Sequence, residues 1–554
     1  MNTVKKIIAK ITKSNCQDGQ DGFDAKLNKI EQQYRSARLK KNKKILFTHS
    51  FSIYSPCFAH DKLMAFALGL RGCEIFSTYC DGVQSVECGV YGGVWTEGRS
   101  FQNNCLNCQK KSKRLWSFLD DDKIIRYSQY INKNDINEVD NMIESIDHGK
   151  WIEFSDGEFE LGRYARDIVT NNYTVGHYTM VENHEYLGRV QLKNLILCKL
   201  ANERIIEFVN PDRIISNDSY YGMWKIWELL AKKNRIPFYS HWSGTSQGRW
   251  CYAYNDASMK LDFSRSWQNY CKEPLLNTDK NKVLEWLDNR MNNGGDMIFN
   301  TASLNHFKND EYDFSKIDVN KPTALLCANV VWDLAALNKE VFNSGMFDWM
   351  VCTIEWFAKH SEYQLIIKPH PAELDPLIPE TQERVEHALQ RLSSIPKNVF
   401  ILSPKVNTTV YNLFDLASVG LVFTTSVGME MAAKGIPVIT AGKSHYRGYG
   451  FTIDPKSKQE YYMSLGQALS KNPVINRVSI EDLAIKFIKF NFFHYFTKTN
   501  IIDFKIGGKV NINVSDLQEL SKGNNAPLDY ILDCIINGHE ILQKNKWPEA
   551  TFNN

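Results

Sequence analysis

Five short apolar runs recur through the second half of the chain, each followed by a helical stretch or a polar turn, and this alternation restricts the fold more than any other feature. The runs are Thr323-Ala-Leu-Leu-Cys-Ala, Gln364-Leu-Ile-Ile-Lys368, Val399-Phe-Ile-Leu402, Val419-Gly-Leu-Val-Phe423 and Ile436-Pro-Val-Ile-Thr440. Helical patterns lie between them near Phe347–Lys359, Glu380–Leu392 and 407–417, and a further helix opens at Thr424–Glu430. Strands alternating with helices at this spacing predict a doubly wound parallel sheet. The first half repeats the pattern more loosely. Ile45-Leu-Phe-Thr ends in Thr48-His-Ser50, a helix follows over Asp61–Leu70, and Cys73-Glu-Ile-Phe-Ser is the next strand. Farther on, Pro211–Ser216 reads as a strand, Asn217-Asp218-Ser219 as a turn, the segment through Trp227 and Leu230 as a helix, and Ile236–Ser240 as a strand. The fold class is therefore α/β, with two Rossmann-like units.

The segments around these units set the expected boundaries: an N-terminal helical extension over 1–43, a first unit over 44–274, a linker region over 275–320, a second unit over 321–470, and a helical tail over 471–554. In the extension, Val4, Ile7, Ile8 and Ile11 share a helical face beside Lys5, Lys6, Lys10 and Lys13. That pattern suits a helix on an anionic membrane surface, or one docked on the protein. In the tail, Asn491-Phe-Phe-His-Tyr-Phe496 reads either as core or as a lipid-facing patch. The N-terminus lacks the apolar core and small-residue cleavage site of a secretory signal. No run approaches the roughly 20 apolar residues of a membrane span. The expectation is a cytoplasmic protein, with contact at the inner face of the membrane through the extension. Its 13 cysteines are then mostly reduced. A formal net charge of +3 speaks against a nucleic-acid binder, and no GxxxxGK[ST] motif of an NTPase is present.

In open α/β sheets ligands bind beyond the carboxyl ends of the strands. Three polar clusters of the second half fall there. In Lys368-Pro-His-Pro371 the two prolines stiffen the turn and fix the direction of His370, and Lys368 and His370 suit a phosphate group. In Thr424-Thr-Ser-Val-Gly428 the hydroxyls of Thr425 and Ser426 sit where a strand becomes a helix, Gly428 permits close backbone approach, and Glu430 is placed to meet a sugar hydroxyl. Gly442-Lys-Ser-His-Tyr-Arg-Gly448 adds two more cations at the same edge and places His445 there. Together these residues form a candidate donor-phosphate site.

The stretches KPHPAE and LFDLASVGLVFTTSVGMEMAAKGIPVITAGKSHYRGYGFT resemble the capsule polysaccharide biosynthesis family, which includes bacterial transferases of 3-deoxy-manno-octulosonic acid (Kdo). The resemblance covers roughly residues 320–460, and the first half only in layout. It implies a GT-B fold, in which the second domain binds a nucleotide sugar and the first an acceptor. Its His-Pro and Ser-containing clusters are also similar to those of sialyltransferases and teichoic-acid glycerophosphate polymerases, which implies His370, Thr425 and Ser426 as donor-phosphate ligands and a CMP-linked donor, with UDP and GDP donors left open. The partners expected are a nucleotide-sugar donor and a glycan or lipid-linked glycan acceptor.

Such chemistry needs a stabilised leaving nucleotide and a carboxylate acting as base or nucleophile. Asp218 is the first choice, with His49, Asp81 and Glu158 as further options. No Mg-binding DxD motif is evident where a GT-A enzyme would need it, so no catalytic metal is expected. Separately, Cys80, Cys88 and the pair Cys105-Leu-Asn-Cys108 offer four thiols for a structural zinc, or stand as ordinary thiols. The competing functions are transfer of glycerophosphate, epimerisation on a GT-B-like frame, and a non-catalytic scaffold of a polysaccharide assembly complex.

Overall fold

The computed structural model describes residues 23–37, 42–96, 98–244, 246–293, 310–333, 337–374, 379–470, 477–504 and 510–543, together with 547, 548, 550 and 552. The basic amphipathic segment over 4–13 lies outside these residues. Two parallel sheets organise the chain. The first contains β1 (Lys43–Phe47), β2 (Cys73–Tyr79), β3 (Ile124–Arg126), β4 (Arg213–Asn217), β5 (Phe238–Ser243) and β6 (Arg249–Tyr254). The second contains β7 (Thr323–Cys327), β8 (Gln364–Lys368), β9 (Val399–Ile401), β10 (Val419–Val422) and β11 (Val438–Thr440). The tail supplies β12 (Thr497–Lys498) and the hairpin β13 (Ile502–Phe504) with β14 (Val510–Ile512).

Spatial order is β12-β6-β5-β4-β1-β2-β3 in the first sheet and β11-β10-β7-β8-β9 in the second. From β3 to β5 all pairings are parallel, as are all those of the second sheet, whereas β6 pairs antiparallel with both β5 and β12. Each parallel set reverses its winding at one point, between β1 and β4 and between β7 and β10. Side chains alternate between layers as the pleat requires. Ile45 and Phe47 enter one core and Leu46 the opposite one. In β7, Leu325 and Cys327 face one layer, Ala324 and Leu326 the other. Helices thus cover both faces of both sheets, and the arrangement is GT-B: two Rossmann-like domains whose strand ends face one cleft.

The expected strands are present within one to three residues, and Gln364–Lys368 coincides. Differences appear at the margins. The helix expected over Glu380–Leu392 shortens to Val385–Leu389, and that over 407–417 is a 3-10 helix at Tyr411–Leu416. The helix over 23–36 docks: Phe23, Leu27 and Ile30 are buried in the first core. The linker region opens with the helix Asn277–Asn293, pinned to the tail by Lys280 Nζ 2.7 Å from Asp482 and Lys489 Nζ 2.8 Å from Asp279. The tail keeps its helices but also returns to the first domain. There β12 pairs with β6, and the hairpin and the helix Ala526–Asn537 join the core under β1. The aromatic patch is core: Phe490, Phe492, Phe493 and Phe496 are all buried. Among the described residues no helix is long and apolar enough to cross a membrane.

Candidate active-site cleft

The winding reversal of a parallel sheet leaves a crevice at the carboxyl edge, because the flanking loops depart to opposite faces. Both domains close that crevice with an asparagine. In the first, the Asn217 side-chain oxygen accepts the Phe51 amide from across the β1/β4 gap. In the second, Asn329 Oδ1 accepts the Thr424 amide across β7/β10 at 3.1 Å. The two crevices open onto one cavity of about 540 Å³. Phe51, Asn217, Asp218, Tyr220, Tyr221, Trp224 and Trp242 line it from the first domain; Asn329, His370, Thr424, Thr425, Ser426 and His445 line it from the second. The volume is that of a site for a nucleotide-sized ligand.

His370, between Pro369 and Pro371, lies on this wall. Its Nδ1 accepts the Ala372 amide at 3.1 Å, so a neutral ring carries its proton on Nε2. Burial, with Lys368 behind it, lowers the His370 pKa to about 4. Burial also lowers His445 to about 3. Both rings are therefore neutral near pH 7, and both become better cations when an anion arrives. Ser426 starts the helix Val427–Ala433 without using its hydroxyl as a cap. Thr425 is fixed through its carbonyl, which accepts the Tyr446 phenol at 2.5 Å.

Three other expected donor ligands stand off the wall. Lys368 is buried at the end of β8, its Nζ 3.5 Å from the Pro369 carbonyl, and stands as a positive charge behind His370. Gly428 packs against Tyr446; a Cβ there would stand 2.3 Å from the phenol oxygen. Glu430 is buried and lies 2.7 Å from Arg290 Nη2. Arg290 itself reaches the cavity, from the helix read as linker.

Of the four candidates for the reactive group, only Asp218 lines the cavity. Its Oδ1 accepts the Met259 amide at 2.8 Å and the Ser258 hydroxyl at 3.0 Å, and its Oδ2 faces the Tyr220 amide at 3.3 Å. Burial nevertheless raises its pKa. Asp81 instead binds the Ser128 amide in a turn, Glu158 is exposed, and His49 is buried beside Cys108. Of the two cations expected from Gly442–Gly448, Lys443 lines the cavity and Arg447 binds Thr440 instead; sequence reasoning missed Lys260, Arg290 and Lys339, which join Lys443 against the carboxylates Asp218 and Asp333. No motif marks basic residues scattered this far apart in the chain. The four cysteines Cys80, Cys88, Cys105 and Cys108 meet elsewhere, around a separate small cavity with His49.

Neither a family model nor a curated protein sequence matches the chain. Solved structures align with parts of the chain. A β-Kdo 2,4-transferase, KpsC of Thermosulfurimonas dismutans, matches at 11% identity and TM-score 0.34, over 55% of this chain and 86% of that one. The UDP-GlcNAc 2-epimerase from Neisseria meningitidis, bound to UDP-GlcNAc, matches at 10% identity and TM-score 0.25, over 80% and 94%. The glycosyltransferase SnogD from Streptomyces nogalater matches at 9% and 0.24, over 80% and 95%.

Proposed function

We propose that this chain is a glycosyltransferase. It moves a sugar from a nucleotide-activated donor, a CMP-linked acidic sugar such as Kdo, to a bacterial surface polysaccharide or glycolipid acceptor on the cytoplasmic side of the membrane. One observation carries the reading: His370, Thr425 and Ser426 share a single cavity with Asp218 from the opposite domain. An anion-binding edge faces a carboxylate across a space of nucleotide-sugar size.

In the reaction Asp218 takes the proton of the acceptor hydroxyl as that oxygen bonds to the anomeric carbon. The bond from that carbon to the phosphate oxygen breaks, and its electrons leave with the nucleotide. Hydroxyls of Thr425 and Ser426 and the Nε2–H of His370 donate to the departing phosphate. Lys260, Arg290, Lys339 and Lys443 supply further counter-charge, which also suits a carboxylated sugar. Side chains thus provide the positive field, so the chemistry proposed is metal-independent.

Thermal-shift measurements with CMP, CDP, UDP and GDP test this, because a ligand that prefers the folded state raises its melting point. The expected result is the largest rise with CMP, followed by CMP release from CMP-Kdo in the presence of acceptor glycan. Turnover of CDP-glycerol instead would assign glycerophosphate transfer. A shift with UDP and interconversion of UDP-sugars would assign an epimerase. No shift with any nucleotide would leave a scaffold.

A further inference from the structure

The four thiols away from the cleft come from three separate places in the chain. Cys80 ends β2, Cys88 lies in the loop that follows, and Cys105 and Cys108 sit one turn apart on the helix Phe101–Trp116. They surround a cavity of about 20 Å³, room for one small ion. Cys88 and Cys108 are buried, and Cys80 and Cys105 are half-buried, which leaves a path inward.

Each sulfur faces an N–H donor. Gln84 Nε2 stands 3.8 Å from Cys80 Sγ, the Tyr91 amide 3.3 Å from Cys88 Sγ, and Gln109 Nε2 3.3 Å from Cys105 Sγ. His49 Nε2 is 3.9 Å from Cys108 Sγ. The Cys80 amide lies 3.2 Å from His49 Nδ1, and an amide can only donate, so in the neutral ring Nε2 carries the proton toward sulfur. Backbone amides of Gly82 and Val90 also turn toward Cys80 and Cys88. Gly82 reaches this turn at φ +101°, a conformation that L side chains rarely adopt. An N–H donor thus stands at each of the four sulfurs, the kind of outer contact that orients thiolate ligands around a metal.

We infer that Cys80, Cys88, Cys105 and Cys108 together bind one zinc ion in a structural, tetrahedral site. Binding forms four Zn–S bonds and releases the four thiol protons to water. Zn–S bonds of about 2.3 Å place neighbouring sulfurs about 3.8 Å apart. The thiols stand wider than this. Among the described residues the donor group drawn within 4.8 Å is another one, His60, Asp61 and His241. That group is closed by its own contacts: His241 Nε2 lies 3.0 Å from Asp61 Oδ1, and His60 Nε2 2.7 Å from the Tyr252 hydroxyl. Four Zn–S bonds would draw the sulfurs closer than they stand here. The His49 carbonyl accepts the indole N–H of Trp224 at 2.6 Å, and Trp224 lines the cleft. His49 thus links the thiol cluster to the first domain's wall of the cleft.

Elemental analysis of the full chain, purified without added metal, is expected to find about one zinc per chain. Cys105→Ser and Cys108→Ser are expected to lose it, and Cys271→Ser, outside the cluster, to keep it. Should the cluster variants fail to fold, two measurements on the unaltered chain decide. Titration with a mercurial thiol reagent releases the zinc, and cobalt exchanged for zinc shows the sulfur-to-cobalt charge-transfer absorption of a tetrathiolate. Folded protein with less than about a tenth of an equivalent of zinc overturns the inference, as does iron in its place or a cobalt spectrum without that absorption.

Discussion

Asp218 illustrates what a single position receives from its surroundings. It sits in a turn after β4, and three hydrogen-bond donors favour its ionised form, yet enclosure by the cleft outweighs them and raises its pKa. A base works only when ionised. The rate is therefore expected to fall as pH drops through this raised value, so that the acid limb of kcat/KM lies above the ordinary aspartate range. Asp218→Asn is expected to lower kcat by about 10²–10⁴-fold while CMP still raises the melting temperature. Unchanged turnover in the folded variant would remove Asp218 from the mechanism. His370 and Ser426 were legible because their neighbours announce them: prolines on both sides of one, a strand-to-helix junction at the other. Asn217 and Asn329 were not, because an asparagine that bridges a winding point looks in sequence like any polar residue after a strand.

The helix Val427–Ala433 shows the same division at the level of an element. Its position after β10 was readable from Thr424-Thr-Ser-Val-Gly428, but the work of its residues was not. Gly428 and Glu430 both turn to the protein, one to admit Tyr446 and the other to hold Arg290. Gly428→Ala is expected to displace the Tyr446 phenol from the Thr425 carbonyl. Urea denaturation should report a loss of about 1–3 kcal/mol, with weaker CMP binding, since Thr425 loses its anchor. Arg290 escaped notice for a related reason: the helix Asn277–Asn293 is polar along most of its length, so its pattern resembles a solvated linker. Only its packing on the tail turns Arg290 inward.

Across the whole molecule, burial of histidines couples stability to pH. His370, His445 and His494 are lowered to about 4, 3 and 4, all chiefly by burial. In the unfolded chain each titrates near 6.5. The stability they allow is complete above that value and is lost as pH falls toward 4, because the unfolded chain takes up protons that the folded one refuses. The melting temperature is therefore expected to decline between pH 7 and pH 5 in a thermal scan. CMP should slow this decline, since a phosphate at His370 favours the charged ring in the folded state. A flat profile would show that these rings are not held neutral. The tail contributes at the same scale. By crossing back to pair with β6 and fill the core under β1, it ties the two halves into one body.

The order of most strands and helices, the α/β class and the polar clusters at the strand ends of the second half were determined by the sequence itself. Each rests on local periodicity or on residues adjacent in the chain, and a buried parallel strand admits few readings. Tertiary structure alone decided which carboxylate faces that edge, which cations gather on it, where the tail goes, and that four thiols share one centre with His49. Those relations join residues tens to hundreds of positions apart. Chain spacing carries no record of such distances until the sheets have wound and packed.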